Sequence, residues 1–169
     1  YTADPRGVIP LDERFHVPRS LARLVRRSPD EGGFEIRINS DFEQTMRACM
    51  EQRAGDTWIS EELIRAYVRL HEIGYAHSVE TWRDGRLVGG LYGISLGAAF
   101  FGESMFHRER DASKVALVHL VERLRARGYQ LLDSQAATPH LARFGCYEIP
   151  AEEYQKLLDK ALEGNCRFD

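Results

Sequence analysis

Length, composition and charge limit what this chain can be. Its 169 residues suit one domain with a real core, and 43% hydrophobic and 29% charged residues are ordinary for a globular protein. The net charge of −3 argues against a general nucleic-acid binder, and no apolar run approaches the roughly 20 residues that a membrane span needs.

The first half of the chain predicts helices around one strand. Hydrophobic periodicity, a capping residue at Ser40 or Asp41 and a helix-ending Gly74 give the boundaries. The predicted elements are, in order, an extended lead-in over residues 1–10, a helix over 18–27, a strand over 34–38, a helix from 41 to 53 and a helix from 60 to 74.

The second half predicts a meander followed by helices. Asp84-Gly85 marks a hairpin turn between the first two strands. The predicted elements are strands over 77–82, 87–96 and 98–106, a helix over 111–127, a strand over 129–135, a short helix over 138–144 and a last helix from 150 to 163. This order predicts an α+β protein with a mixed, mainly antiparallel sheet flanked by helices, close to the GNAT-type acyltransferase fold, in one domain over residues 1–169.

Three polar residues stand out in apolar surroundings. Glu103, Asp133 and Gln135 each lie at the end of an apolar run, or just after it. Burial disfavours the charged form of a carboxylate unless a partner compensates, so such residues are candidates for chemistry. The sequence therefore predicts an active site between these strand ends.

Positive charge is concentrated near the start of the chain. Residues 1–29 carry six arginines and three acids, for a net charge of +3. Four of these arginines, Arg19, Arg23, Arg26 and Arg27, share roughly one face of the first predicted helix. The stripe is either a phosphate-contacting surface or a solvated basic face, and the sequence leaves both open.

Several stretches carry a family resemblance. The combination of Gly-Glu-Ser-Met-Phe, Ala-Ser-Lys and Asp-x-Gln is specific, and the match runs from about residue 4 to about residue 160. The stretches are Asp4–Arg6, His71–Trp82, Leu87–Gly93, Gly102–Phe106, Ala112–Lys114 and Asp133–Gln135. Together they resemble the bacterial leucyl/phenylalanyl-tRNA–protein transferases.

The resemblance implies transfer of Leu, Phe or Met from aminoacyl-tRNA to the N-terminal α-amino group of a protein, which marks that protein for N-end-rule degradation. The acceptor would begin with Arg or Lys. No cofactor or metal is needed, because the ester of the donor is already activated. A monomer without a membrane partner is expected. The three cysteines form no CxxC pair, which favours reduced thiols and a cytoplasmic location.

The resemblance also implies roles for individual residues. Glu103 would hold the α-ammonium group of the donor, and Asp133, relayed through Gln135, would orient or deprotonate the acceptor amine. Trp58 and Tyr67 match positions that contact the terminal adenosine. The substrate-binding positions are Leu91, Phe100, Ser104, Met105, Leu117, Leu120 and Leu132. Plain core packing is an equally good interpretation of Leu117 and Leu120, and Asp133 could instead be a helix cap or a buried ion-pair partner.

Two departures from the family bear on donor affinity and specificity. Family members commonly carry a further N-terminal domain, which is expected to be missing here. Residues 136–140 replace a stretch that often carries Asn before the matching His140.

Other functions stay open on the sequence alone. A coenzyme A-dependent N-acetyltransferase would need a glycine-containing pyrophosphate loop, but Asp111 stands where the glycine should be and Glu109 adds negative charge. A non-catalytic module that binds tRNA or a peptide is the other alternative. A metal site made from His71, Glu72, His77 and Glu80 is disfavoured, because the spacing is not His-Glu-x-x-His.

Overall fold

A computed structural model describes residues 4–53 and 61–169 of the chain. The predictions for Trp58 and for a helix start at Ser60 lie outside these residues. The strands are β1 (Arg6–Val8), β2 (Glu35–Ile38), β3 (Ala76–Arg83), β4 (Arg86–Leu96), β5 (Ala99–His107), β6 (Leu131–Gln135) and β7 (Tyr147–Ile149). The helices are α1 (Arg19–Arg26), α2 (Phe42–Gln52), α3 (Glu61–Glu72), α4 (Ala112–Ala126), α5 (Pro139–Ala142) and α6 (Ala151–Leu162), and a short 3-10 helix covers Pro29–Glu31.

The longer elements confirm the predictions from periodicity and capping. Asp41 begins α2, where its side chain accepts a hydrogen bond from the backbone N–H of Gln44 at 3.3 Å. Asp84 and Gly85 both have positive φ angles, 51° and 74°, as a tight turn between β3 and β4 requires. None of the helices in the described part of the chain is long and apolar enough to cross a membrane.

Two short strands were not predicted. The lead-in contains β1, which pairs antiparallel with β6 on one side and with β7 on the other. The two strands that were not predicted, β1 and β7, have only three residues each, which is too few to show an alternating pattern. The lead-in is therefore part of the sheet.

The seven strands form one sheet in the order β2-β3-β4-β5-β6-β1-β7. β2 pairs with β3, and β3 with β4, in antiparallel fashion, whereas β5 and β6 run parallel to each other. This is the mixed, mainly antiparallel sheet that the sequence predicts. Parallel β5 and β6 are joined by α4, the helical crossover that such a connection needs.

The chain divides into two compact units, which we call the first and the second unit. The first comprises Tyr1–Arg19, Ser95–Gly102 and Val121–Asp169, and the second comprises Ser20–Ile94 and Glu103–Leu120. The buried cluster of the first unit is Val8, Ala98, Ala99, Leu131, Ile149, Tyr154 and Ala161. The buried cluster of the second is Phe42, Met46, Ala48, Cys49, Ile64, Ala76, Tyr92 and Phe106.

Candidate active site

The most constrained acid of the first unit is Asp133, on β6, which is 1% exposed. Its Oδ2 accepts hydrogen bonds from the guanidinium group of Arg6 and from the hydroxyl of Tyr154, the latter at 2.6 Å. Its Oδ1 accepts the backbone N–H of Gln135 at 2.7 Å. All three partners are donors, so the carboxylate acts as an acceptor in every contact.

Arg6 and Tyr154 also contact each other. The guanidinium carbon of Arg6 lies 4.6 Å from the centroid of the Tyr154 ring, and Nη2 donates to the hydroxyl at 3.5 Å. Burial lowers the pKa of Arg6, but the hydrogen bond and negative charge of Asp133 outweigh it, and the net shift is upward. Burial, and then the hydrogen bond to Asp133, raise the pKa of Tyr154. Both shifts keep the group protonated.

Neither of the two side-chain donors to Asp133, Arg6 and Tyr154, was predicted from the sequence. Arg6 was within a stretch that carried the family resemblance, Asp4–Arg6, which was the one available signal. Tyr154 lies on α6 and carried no signal. Asp4, from the same stretch as Arg6, caps the start of that helix, since its Oδ1 accepts the backbone N–H of Ala151 at 3.0 Å.

Gln135 has an unusual backbone. Its φ angle is +69°, in the left-handed region that non-glycine residues rarely adopt. Side chains alternate between the two faces of an extended strand, but this rule does not apply at Gln135 because of its positive φ. Gln135 is linked to Asp133 by the hydrogen bond from its backbone N–H. The side-chain Nε2 donates to the carbonyl oxygen of Gly102 at the long distance of 3.5 Å.

Gly7 makes room for the chain that follows Gln135. Gly7 is the β1 residue opposite Gln135 in the sheet. A Cβ atom on Gly7 would lie 2.4 Å from the carbonyl carbon of Ala136 and 2.6 Å from the backbone N of Ala137. Only glycine lets this segment pass so close to β1, so residue 7 helps to set the path of the chain at Gln135.

Glu103 lies in the second unit, together with Tyr67, Ser104 and Met105, which are also predicted to bind the aminoacyl donor. Glu103 is half-buried, on β5. Burial raises the pKa of Tyr67, and the charge of Glu103 raises it further. Burial is also the largest cause of the raised pKa of Tyr92, to which the charge of Glu103 adds. The Glu103 carboxylate thus acts electrostatically on both tyrosines.

Tyr92 is a third residue that was not predicted from the sequence. Its ring packs edge-on against Tyr67, with centroids 5.9 Å apart, and edge-on against Phe42 at 5.8 Å. The Phe42 ring stacks on His71 at 4.6 Å. Tyr67 is therefore held by an aromatic cluster and is itself only half-buried.

Ser104 and Met105 follow Glu103 on β5, and both are half-buried. Burial raises the pKa of the Cys49 thiol to about 12. Such a thiol is protonated at neutral pH, so Cys49 is not a nucleophile here. Met105 has a flexible side chain that suits a pocket for several apolar donors.

The other predicted pocket residues are more deeply buried. Phe100 and Leu132 face each other in the β5–β6 pairing of the first unit and are 0% and 1% exposed. In the second unit, Leu91, Leu117 and Leu120 are 2–3% exposed. Side chains this buried pack in the core. Any of them that also lines a pocket for the aminoacyl donor is a core residue as well.

The arginine stripe is exposed. Arg19, Arg23 and Arg26 lie on α1, and Arg27 follows its last residue. The helix buries Leu21, and all four arginines are exposed to solvent. Arg26 spends one donor on the carbonyl oxygen of Ala22, at 3.3 Å.

The residues that suggested a metal are engaged otherwise. His71 Nδ1 lies 2.8 Å from the carbonyl oxygen of Ala76, and His77 Nε2 lies 3.0 Å from that of Gly74. Glu80 is fully buried and accepts three hydrogen bonds within the second unit. Over residues 4–53 and 61–169 we find no group of three or more His, Cys, Asp or Glu side chains that could hold a metal ion.

The segment before α4 carries side-chain charge. Asp111 has a φ angle of +66°, and its carboxylate forms an ion pair with Lys114 at 3.4 Å. Glu109 pairs with Arg83 at 2.7 Å. The positive φ is one that a glycine would adopt easily, but the Asp111 carboxylate would oppose a diphosphate at this helix start.

Comparison with known sequences points in one direction. A family model described as leucyl/phenylalanyl-tRNA protein transferase matches residues 8–159. A leucyl/phenylalanyl-tRNA–protein transferase from Herpetosiphon aurantiacus is 59% identical over 168 residues, which is 99% of this chain and 85% of that protein. The corresponding protein from Akkermansia muciniphila is 52% identical over 164 residues, 96% of this chain and 83% of its own.

Solved structures show the same fold at low sequence identity. The C-terminal domain of a protein described as a lysylphosphatidylglycerol synthetase, from Agrobacterium fabrum, has a TM-score of 0.61 and 10% identity, and the match covers 95% of this chain and 64% of that one. The L-PGS structure from Bacillus licheniformis has a TM-score of 0.53 and 11% identity, over 79% of this chain and 45% of that one. The fold is thus the GNAT-like one that the sequence predicts.

Proposed function

The chain belongs to the leucyl/phenylalanyl-tRNA–protein transferase family. We propose that two sets of residues carry out the aminoacyl transfer that gives the family its name. The chain is an aminoacyltransferase, which moves an apolar amino acid from aminoacyl-tRNA to the N-terminal amine of a protein. We call Arg6, Asp133, Gln135 and Tyr154 the Asp133 set. We call Tyr67, Tyr92, Glu103, Ser104 and Met105 the Glu103 set.

The chemistry is the exchange of an ester for an amide. The acceptor α-ammonium group loses a proton, and its nitrogen attacks the ester carbonyl that joins the amino acid to the terminal ribose. The C–N bond forms, the nitrogen gives up a second proton, the C–O bond breaks, and the ribose oxygen takes up a proton and leaves as a hydroxyl. The ester supplies the driving force, so positioning and proton transfer are what the protein must provide.

The Asp133 set supports a role at the acceptor amine. The observation that carries this assignment is the hydrogen bond from the Gln135 N–H to the buried Asp133 carboxylate. Asp133 is too buried and too fully occupied to act on a substrate directly. Gln135 is half-buried, and with Nε2 turned toward Gly102 its carbonyl Oε1 can accept a hydrogen bond from an amine N–H.

The Glu103 set supports a role at the donor. A half-buried carboxylate beside two tyrosines can bind the α-ammonium group of the donor amino acid as a charge-assisted hydrogen-bond acceptor. Met105 provides adaptable apolar contact for a Leu, Phe or Met side chain. Tyr67, fixed edge-on by Tyr92, offers a ring face on which the terminal adenine can stack, a contact worth ~1–3 kcal/mol.

The arginine stripe on α1 supports contact with the tRNA backbone. The donor is polyanionic, yet the chain as a whole has a net charge of −3, so attraction must be local. Four exposed arginines on one short segment provide such a concentration. Contacts to phosphate position an RNA without reading its sequence, so we expect the amino acid to matter more than the tRNA body.

The acceptor is a protein that begins with Arg or Lys, the reaction takes place in the cytoplasm as part of N-end-rule degradation, and the enzyme works as a monomer. Neither a metal nor another cofactor takes part.

Incubation with leucyl-tRNA and peptides that differ only in their first residue tests the function. Peptides that begin with Arg or Lys should gain the mass of one leucine residue at the N-terminus, whereas peptides that begin with Leu or Glu should remain unchanged. If no peptide in the panel gains leucine, the proposed transfer is wrong. If all of them gain it equally, transfer stands and acceptor selectivity is wrong.

A further inference from the structure

Asp133 acts on Gln135 only if its carboxylate is held in one orientation. A carboxylate can rotate about its terminal torsion, which has a broad energy profile. In this structure the rotation is limited by two donors on Oδ2, the Arg6 guanidinium and the Tyr154 hydroxyl. With Oδ2 held in this way, Oδ1 faces the Gln135 N–H at 2.7 Å.

The two donors come from different parts of the fold. Arg6 lies on β1, the strand next to β6, and Tyr154 lies in the first turn and a half of α6. The same lead-in segment ties α6 down, because Asp4 accepts the backbone N–H of Ala151. The segment from Asp4 to Gly7 therefore contributes in three ways. Arg6 is one donor to Oδ2, Asp4 binds the start of the helix that carries the other donor, and Gly7 leaves room for the chain after Gln135.

Charge gives Arg6 a second role. Asp133 and Arg6 are 1% and 7% exposed, and a buried ion is costly unless it is paired. Each ion of the pair compensates the other. The third contact of Asp133 is with Gln135, the residue that we assign to the acceptor amine.

We propose that Arg6 and Tyr154 are positioning residues, which hold the Asp133 carboxylate toward the Gln135 backbone and thereby fix the Gln135 side chain for the acceptor amine. This inference rests on the proposed function, because it assigns Gln135 to the acceptor. It extends the active site to a short strand and a helix that contribute no group in contact with the substrate.

Tyr154→Phe is the cleanest test, because it removes one hydroxyl and keeps the buried ring. Tyr129→Phe is its matched control. Tyr129 lies in the same unit, is 5% exposed against 6% for Tyr154, and its hydroxyl also makes a 2.6 Å hydrogen bond, to Ser95. Both substitutions should lower the melting temperature by similar amounts. Only Tyr154→Phe should lower kcat, by about 10-fold, with little change in the KM for leucyl-tRNA.

A double-substitution cycle separates positioning from stability. If Tyr154 acts through Asp133 on Gln135, Tyr154→Phe should reduce kcat in the wild-type background but not in a Gln135→Ala background. Its effect on the melting temperature should persist in both backgrounds. Arg6→Lys, which keeps the charge but loses the planar fork, should resemble Tyr154→Phe, whereas Arg123→Lys in the same unit should leave kcat unchanged.

The outcomes distinguish this inference from the function beneath it. If the wild type transfers leucine and Tyr154→Phe keeps the full kcat, the inference is wrong and the function stands. The same holds if Tyr154→Phe reduces kcat equally with and without Gln135. If the wild type transfers no leucine, the proposed function is wrong and the inference fails with it.

Discussion

Two buried carboxylates, Asp133 in the first unit and Glu80 in the second, can be compared directly because they are equally inaccessible. They are 1% and 0% exposed, and each accepts three hydrogen bonds. Glu80 accepts from the Ser78 hydroxyl at 2.6 Å, the Asp41 backbone N–H at 2.8 Å and the Trp82 indole N–H at 2.9 Å.

The difference lies in what the donors belong to. Two of the donors to Glu80 lie on its own strand, and the third is the residue that begins α2, so the contacts join β3 to a helix. One donor to Asp133 is a guanidinium, and another is Gln135, a residue with a positive φ at the end of its strand. Burial and hydrogen bonding are common to both acids, so it is the contact with Gln135 that makes Asp133, rather than Glu80, the candidate for a role in the reaction.

The largest expected effect is that of Asp133→Asn on activity. An amide in place of the carboxylate turns a donor toward Gln135, Arg6 or Tyr154, so one of these contacts must be lost. We expect kcat to fall by at least ~100-fold, the scale of a positioned acid–base group, while tRNA binding changes little. The assay is steady-state transfer of leucine to an Arg-peptide, at a temperature where circular dichroism shows the variant folded. Full turnover would remove Asp133 from the mechanism and make it equivalent to Glu80.

Met105→Ala is expected to have the next largest effect. Loss of its apolar contacts should lower kcat/KM for the Leu and Phe donors, which corresponds to an increase of ~1–3 kcal/mol in the activation free energy for each donor. Met46→Ala is the matched control, because Met46 belongs to the core of the same unit and is 0% exposed. It should lower the melting temperature and leave donor preference unchanged. If the two variants behave alike, Met105 is a core residue only.

Glu80→Gln should affect stability rather than rate. The amide keeps one acceptor oxygen but places a donor against one of the three present donors, which costs about 1–3 kcal/mol of the free energy of unfolding. Urea denaturation measures this loss, and kcat should stay at the wild-type value. A large fall in kcat with unchanged stability would contradict the contrast between the two acids.

The smallest expected effect belongs to the arginine stripe. Arg23→Glu with Arg26→Glu should weaken binding of charged tRNA and reduce the salt slope by roughly one unit per lost phosphate contact. Transfer from an aminoacyl-adenosine, which has no stem, should be unchanged. Arg65→Glu with Arg69→Glu, on α3, makes the same change of charge on another exposed helix and serves as control. Equal loss in both double variants would show a general effect of net charge.

The sequence predicted the elements whose pattern is long enough to read. β3 to β6 and every helix of eight or more residues could be placed from hydrophobic periodicity, whereas β1 and β7, of three residues each, could not. Local punctuation was also reliable, as at Asp41, which caps α2, and at the Asp84-Gly85 turn.

The candidate site was predictable only in part, for a related reason. Asp133 and Gln135 could be found because a polar residue at the end of an apolar strand is visible in the sequence. Arg6 and Tyr154 could not, because they are 127 and 21 positions away from Asp133 and only the fold brings them to it. The pairing of a buried charge depends on tertiary structure, which a single sequence does not display.

The most direct test of the account uses the wild-type enzyme, leucyl-tRNA and two peptides of one sequence that begins with Arg, one with a free N-terminus and one with an acetylated N-terminus. We expect the free peptide to gain one leucine residue on its α-amino group, located by fragmentation mass spectrometry, and the acetylated peptide to gain none. Transfer to the acetylated peptide, or to a side chain of either peptide, would contradict it.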